Sequence, residues 1–264
     1  MLTVNELFSG IGAFRKALIR LNIPHEIVGI SEIDKYAIKS YEAIYGKTYN
    51  YGDISKIEKL NYADLWTYGF PCQDISAAGE QKGIIKGETR SGLLYEVERL
   101  LRVAEKNNEL PKYLILENVK ALVGKKFKKQ FDEWINTLDE LGYYTCWKVL
   151  NAKDYGVPQS RERVFAISIR KDIEILFQFP EKIPLEKTLF DIHEKDVDDK
   201  YYITDGYLKF DKPIIKNEIG YEFINTTNAG MCKTIRATYC FVNGYEIIKT
   251  LDKYKATGVI EYEV

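Results

Sequence analysis

The chain has 264 residues, 45% of them hydrophobic and 29% charged, with a formal net charge of −1. That length holds one large domain, or a domain with a smaller companion. The near-zero charge excludes a global pull toward nucleic acid and leaves such contact to local patches. The four cysteines, at 72, 146, 232 and 240, make no C-x-x-C pair, and His25 and His193 are the only histidines, so no metal site is expected. No charged-then-apolar leader opens the sequence and no apolar run approaches ~18 residues. The expectation is a cytoplasmic protein with reduced thiols and no membrane span.

In chain order, "LTVNELF" (2–8) reads as a strand and "AFRKALIRL" (13–21) as an amphipathic helix. "EIVGIS" (26–31) is a second strand, followed by a helix from Asp34 to about Tyr45. A buried strand is expected near Asp64–Gly69, and "SGLLYEVERLLRVAEK" (91–106) spaces its apolar residues as a helix does. "KYLILEN" (112–118) is a strand, 126–141 a helix, and "YYTCWKVL" (143–150) and "RVFAISI" (163–169) two further strands. This alternation predicts an α/β fold: a Rossmann-like, doubly wound, mostly parallel sheet with helices on both faces. Ligands then bind outside the carboxyl ends of the strands. Beyond about residue 185 the rhythm fails, so the expected division is a catalytic domain over 1–185 and a smaller, irregular or β-rich unit over 186–264.

Several residues fall at strand ends. In "ELFSGIGAF" (6–14), Gly10 and Gly12 follow a strand and open a helix, so backbone N–H groups can approach a ligand. A dinucleotide fingerprint needs a third glycine where Arg15 stands, which counts against NAD. Glu32, at the end of the second strand, suits ribose hydroxyls, and Asp53 an adenine amino group. Together they suggest an adenosine-bearing ligand without a pyrophosphate, although a Gly-x-Gly turn alone is as often structural.

Cys72, in "GFPCQDIS" (69–76), is a free thiol placed just past a strand and fixed on one side by Pro71. It reads either as core packing or as a nucleophile. Glu117 in "LILENV" ends another strand after an apolar run, which would desolvate its carboxyl group and suit it to proton donation. Its alternative role is to cap the next helix. Arg161 and Arg163, one residue apart at a strand start, would share a face and orient a carboxylate, a phosphate or a base edge. Lys120, Lys125, Lys126, Lys128 and Lys129 form a local basic patch, either a nucleic-acid contact or a solvated helix face.

The blocks "ELFSGIGAF", "GFPCQDIS", "RSGLL", "LENV" and "NAKDYGVPQSRERVFAI" occur in order. They closely resemble the successive signature blocks of the DNA (cytosine-5) methyltransferases of bacterial or phage type. The resemblance covers residues 1 to about 180. It implies an S-adenosylmethionine-binding domain followed by a target-recognition region, acting on double-stranded DNA in a restriction-modification or phage setting. Carried over, the family's cofactor site places Phe8 against the adenine, with Gly10, Ile11 and Gly12 at the methionine end. Glu32 falls on the ribose and Asp53 with Ile54 on the adenine, while Pro71 and Leu93 close the pocket. The family's nucleophile matches Cys72, its active-site acid Glu117, and its paired arginines Arg161 and Arg163. Residues 74–92 match a mobile loop that closes over DNA; glycines and few apolar anchors suit a lid. The implied chemistry is a covalent bond from Cys72 to carbon 6 of a flipped-out cytosine, followed by methylation at carbon 5.

Two further blocks usual in the family have no counterpart in "FVNGYEIIKTLDKYKATGVIEYEV" (241–264), where the resemblance covers only part of a recognition region. The expectation is an uncovered apolar face on the cofactor domain and, as the alternative function, a subunit that binds cofactor and DNA but needs a second polypeptide. A tRNA substrate is disfavoured because that branch's signature near the catalytic loop is not present.

Overall fold

The computed structural model describes residues 1–72, 75, 84, 90–187, 191 and 232–233. The chain divides into two compact units, Met1–Leu150 with Arg163–Phe179, and Asn151–Glu162 with Pro180–Val264. Both units are discontinuous in sequence, residues 151–162 grouping with the second. Most of 186–264 lies outside the described residues.

The first unit is built on a six-stranded sheet in the order β2-β1-β3-β4-β7-β5. Its strands are β1 (Leu2–Leu7), β2 (His25–Ser31), β3 (Leu65–Tyr68), β4 (Tyr113–Val119), β5 (Tyr143–Asn151) and β7 (Glu162–Arg170). β2, β1, β3 and β4 run parallel, and β7 pairs antiparallel with β4. The helices are α1 (Ala13–Arg20), α2 (Lys35–Tyr45), α3 (Leu94–Lys106) and α4 (Lys128–Glu140). This is the mixed, mostly parallel Rossmann-like arrangement read from the sequence. The winding reverses between β1 and β3, so the crevice for a ligand opens at the carboxyl ends of those two strands.

Burial explains the local choices. All four residues of β3 are buried, as a central parallel strand covered on both faces requires. α3 buries Leu94, Val97, Leu100, Leu101 and Ala104, one stripe of its surface. Each of the larger side chains contributes about 1.5–3 kcal/mol. α4 buries Phe131, Trp134 and Leu138, and the Trp134 indole N–H donates to the Tyr68 hydroxyl at 3.2 Å. α1 is different, with no buried residue. Its start is held instead by Glu6 of β1, whose carboxylate accepts from the Arg15 backbone N–H at 3.0 Å and from the Tyr41 hydroxyl. Gly12 has no side chain to cap the helix, so a carboxylate from the neighbouring strand does so. Arg15, the residue that spoiled a dinucleotide fingerprint, lies over the Tyr45 ring at 4.7 Å and donates to Thr48 at 3.1 Å.

In the second unit the described residues form a short turn over Ala152–Asp154 and a pairing of β6 (Gln159–Ser160) with β8 (Cys232–Lys233). Lys182 makes an ion pair with Asp154 at 2.8 Å. No helix among the described residues is long and apolar enough to cross a membrane. No cluster of metal-ligating side chains occurs among them either.

Candidate active site

At the end of β1 the chain turns sharply: Phe8, Gly10 and Gly12 have φ of 56°, 55° and 80°. For Phe8 that left-handed conformation costs about 1–2 kcal/mol, a strain held by the packed strand behind it. The two glycines do different work. A Cβ on Gly10 would meet nothing within 4 Å, so its backbone faces open space. A Cβ on Gly12 would lie 2.5 Å from the Tyr45 ring and 2.7 Å from that of Tyr41, so packing against α2 demands this glycine. Ile11, between them, is 57% exposed.

Glu32 closes the turn. Its Oε2 accepts from the Gly10 N–H at 2.8 Å, and Oε1 accepts from the N–H groups of Ile33 and Asp34 at 2.8 and 2.9 Å. The carboxylate thus fastens the glycine turn to the end of β2. Of its roughly four acceptor positions, three are used. Asp53 caps the next turn, accepting from Ser55 N–H at 3.0 Å and Ser55 Oγ–H at 2.7 Å. Those hydrogen bonds hold its carboxyl below the ordinary range. Ile54 turns its side chain into the core, while its carbonyl accepts from Arg99 of α3 at 3.1 Å.

The loop after β3 carries Cys72, a half-buried, reduced thiol packed against the core. The three carbonyls around it each have a donor. Phe70 O accepts from the Asn118 side-chain amide at 3.0 Å, Pro71 O from Ser91 Oγ–H at 2.8 Å, and Cys72 O from the Ile75 N–H at 3.0 Å. Leu93, two residues beyond Ser91, packs partly buried against the same core. Of the 74–92 segment, Ile75 and Ile84 are buried, and the Gln130 carboxamide brackets Ile84, accepting from its N–H at 3.4 Å and donating to its carbonyl at 3.3 Å. These are two apolar anchors within the segment; residues 73–74, 76–83 and 85–89 lie outside the described residues.

Glu117 stands on β4 opposite the start of that loop. A Cβ on Gly69 would come within 3.3 Å of the Glu117 carbonyl and 3.5 Å of its Oε2, so the two strands approach closely here and a side chain would have to push β4 by a few tenths of an ångström. β4 alternates half-buried and buried positions, and Glu117 takes a half-buried one at 28% exposure. The apolar run therefore does not enclose the carboxylate as expected. Instead Arg163 Nε lies 3.1 Å from Oε1. Arg163 is opposite Val119 across the antiparallel pair, which makes it the diagonal neighbour of Glu117.

Arg161 immediately precedes β7, which begins at Glu162; its N–H donates to Asn151 Oδ1 at 2.9 Å and its carbonyl accepts from Ala152 N–H at 3.0 Å. Five residues were not singled out by their own chemistry: Glu6, Ser91, Arg99, Asn118 and Gln130. The signal for Asn118 was available, because it is a polar residue at a buried register position of β4.

A Rossmann-like sheet with a glycine turn at its switch point, a thiol past the third strand and a carboxylate–guanidinium pair bridging β4 and β7 defines a class of group-transfer enzyme core. The chain belongs to the C-5 cytosine-specific DNA methylases, the family whose sequence model matches residues 2–260. It is 38% identical over 275 residues to the Type II methyltransferase M2.ScrFI of Lactococcus lactis subsp. cremoris, covering 83% of this chain and 74% of that protein. With the Type II methyltransferase M.DsaV of Dactylococcopsis salina the identity is 34% over 258 residues, covering 92% and 69%. With the orphan methyltransferase M.SPRI of Bacillus phage SPR it is 36%, over 77% of this chain and 52% of that protein. Among solved structures, the S. pombe Dnmt2 methyltransferase matches with a TM-score of 0.61 at 23% identity, over 84% of this chain and 66% of that one. That likeness concerns the fold.

Proposed function

We propose that the chain methylates carbon 5 of cytosine in a specific duplex DNA sequence, with Cys72 as nucleophile. The observation that supports this reading is the loop after β3, whose Phe70 and Pro71 carbonyls are held by Asn118 and Ser91 just before the half-buried Cys72, together with the Glu117–Arg163 pair on the neighbouring strands β4 and β7.

S-adenosylmethionine, when bound, supplies a methyl group made electrophilic by its sulfonium. The residues at the switch point fit such a ligand. Gly10 leaves room for close approach, Glu32 keeps an acceptor position for a ribose hydroxyl, and Asp53 is an ionised acceptor for an adenine amino group. Phe8 would lie against the adenine, Ile11 and Gly12 at the methionine end, with Ile54, Pro71 and Leu93 completing the pocket. For Gly12 and Ile54 the contribution is through backbone placement, since their contacts are with the protein core.

The target base is out of reach inside a duplex and must be extruded. Cys72 adds as thiolate to carbon 6, and the electron pair of the 5,6 double bond moves toward carbon 5 and ring nitrogen 3. Glu117 holds a proton at nitrogen 3 and so stabilises the charge that develops there. Arg163 fixes the Glu117 side chain, and Arg161 is proposed to act near the base edge. Carbon 5 takes the methyl group, its proton leaves to a base, and breaking of the sulfur–carbon 6 bond restores the ring. The region after about residue 185 would read the DNA sequence, and the setting would be restriction-modification or a phage.

The test uses plasmid-length duplex made with 5-fluoro-dCTP, which contains every short target. With fluorine at carbon 5 there is no proton to lose, so the adduct persists. The expected result, with S-adenosylmethionine present, is a covalent DNA–protein species mapped to Cys72. An assay in which ordinary duplex is methylated yet no adduct forms on Cys72 overturns the mechanism. Running it with the chain alone and with the cognate cell extract reads whether a second polypeptide is required.

A further inference from the structure

Residues 69–72, which follow β3, have no regular secondary structure, so their buried carbonyls need partners from elsewhere. Two of them are met by side chains of other elements: Asn118 of β4 for Phe70 O and Ser91 for Pro71 O. The second carbonyl matters more for Cys72. The pyrrolidine ring sets φ of Pro71 near about −65°. Its ψ rotates the peptide plane that joins Pro71 to Cys72, and a hydrogen bond to Pro71 O fixes that plane. With the Cys72 carbonyl held on the other side by the Ile75 N–H at 3.0 Å, the rotation left to Cys72 is restricted and the direction of its Cα–Cβ bond is set.

Ser91 is suited to hold this position. It is fully buried, and its Oγ–H donates to Pro71 O at 2.8 Å. It lies in the short turn Arg90–Leu93 that leads into α3, whose apolar stripe is buried in the core. The anchor is thus a rigid element. We propose that Ser91 is a positioning residue for the methyl-transfer reaction, aiming the Cys72 thiol by fixing the carbonyl immediately before it. This rests on the reading of Cys72 as nucleophile. Ser91 need not touch substrate or cofactor to do so.

The test compares wild type, Ser91→Ala and Ser91→Thr in three measurements. In Ser91→Ala the rate of adduct formation with 5-fluorocytosine duplex falls about 10- to 100-fold, as a small misplacement of a reacting group does. S-adenosylmethionine affinity stays within about twofold. Alkylation of Cys72 by iodoacetamide, a small reagent tolerant of direction, stays close to wild type, with Cys146 as the internal reference. Ser91→Thr keeps the hydroxyl and recovers most of the adduct rate. The inference is overturned if Ser91→Ala forms the adduct at the wild-type rate. It is equally overturned if adduct rate and cofactor affinity fall in parallel while alkylation of Cys72 and Cys146 rises together, since that is general loosening. If wild type itself forms no adduct, the nucleophile reading fails and the role of Ser91 falls with it.

Discussion

The two sides of the switch point are built differently. On the β1–β2 side the candidate ligand contacts come from backbone and half-buried carboxylates, and α1 buries no residue. On the β3–β4 side the proposed nucleophile sits on a loop clamped by buried side chains and the proposed acid on strand β4, in a unit whose helices α3 and α4 carry continuous buried stripes. Under the proposed function, the contrast divides binding from chemistry within one sheet. A bound small molecule contributes its own order to a turn, whereas a nucleophile and an acid must be placed before the substrate arrives.

The largest expected effect falls on the chemical side. Cys72→Ser should lower methyl transfer by at least about 1000-fold, read with labelled methyl groups on plasmid DNA, while cofactor binding persists. Glu117→Gln keeps the shape and the contact with Gly69 but removes the acid, and should lower the single-turnover rate by about 100-fold. The packing contrast is broken or sharpened by matched truncations. Leu101→Ala in α3 should destabilise by about 2–5 kcal/mol in denaturant unfolding, and Leu18→Ala, half-buried in α1, by well under half of that. Equal losses would show that α1 is as firmly packed as α3.

On the binding side, Arg99→Ala frees the Ile54 carbonyl that supports the Asp53 turn, and calorimetry should show S-adenosylmethionine bound about fivefold more weakly. The smallest effect concerns Glu6, whose carboxyl burial pushes above its ordinary value. The folded state then holds a proton that the unfolded chain has released, so this contribution is full below the ordinary glutamate range and is lost as pH rises through the raised value. Melting temperatures of wild type and Glu6→Gln should therefore diverge with rising pH, wild type losing ground. A constant difference would mean that Tyr41 and the Arg15 N–H fully offset burial.

Most elements were legible because their periods were clean. α3 starts three residues later than the spacing suggested because Arg90–Leu93 tightens into a shorter turn, and the expected helix start at Asp34 proved to be its cap, the side chain accepting from Tyr36 and Ala37 N–H. The positions of Cys72 and Glu117 at strand ends followed from the same periods. The partner of Glu117 did not, since Arg163 reaches it only because β7 runs antiparallel to β4, and nothing local to either segment encodes that pairing. Nor were the backbone bonds of Arg161 to Asn151 and Ala152 legible, since they join segments ten residues apart.

The sequence by itself determined the strand–helix order, the glycine turn, the thiol and the carboxylate, because propensity, periodicity and motif spacing are properties of neighbouring residues. Only the tertiary structure decided that Gly12 serves packing, that Glu32 is bound by three backbone N–H groups, and that Ser91 and Asn118 hold the loop before Cys72. Those outcomes depend on which distant group meets a buried polar atom, and that is settled by the sheet order rather than by any stretch of chain.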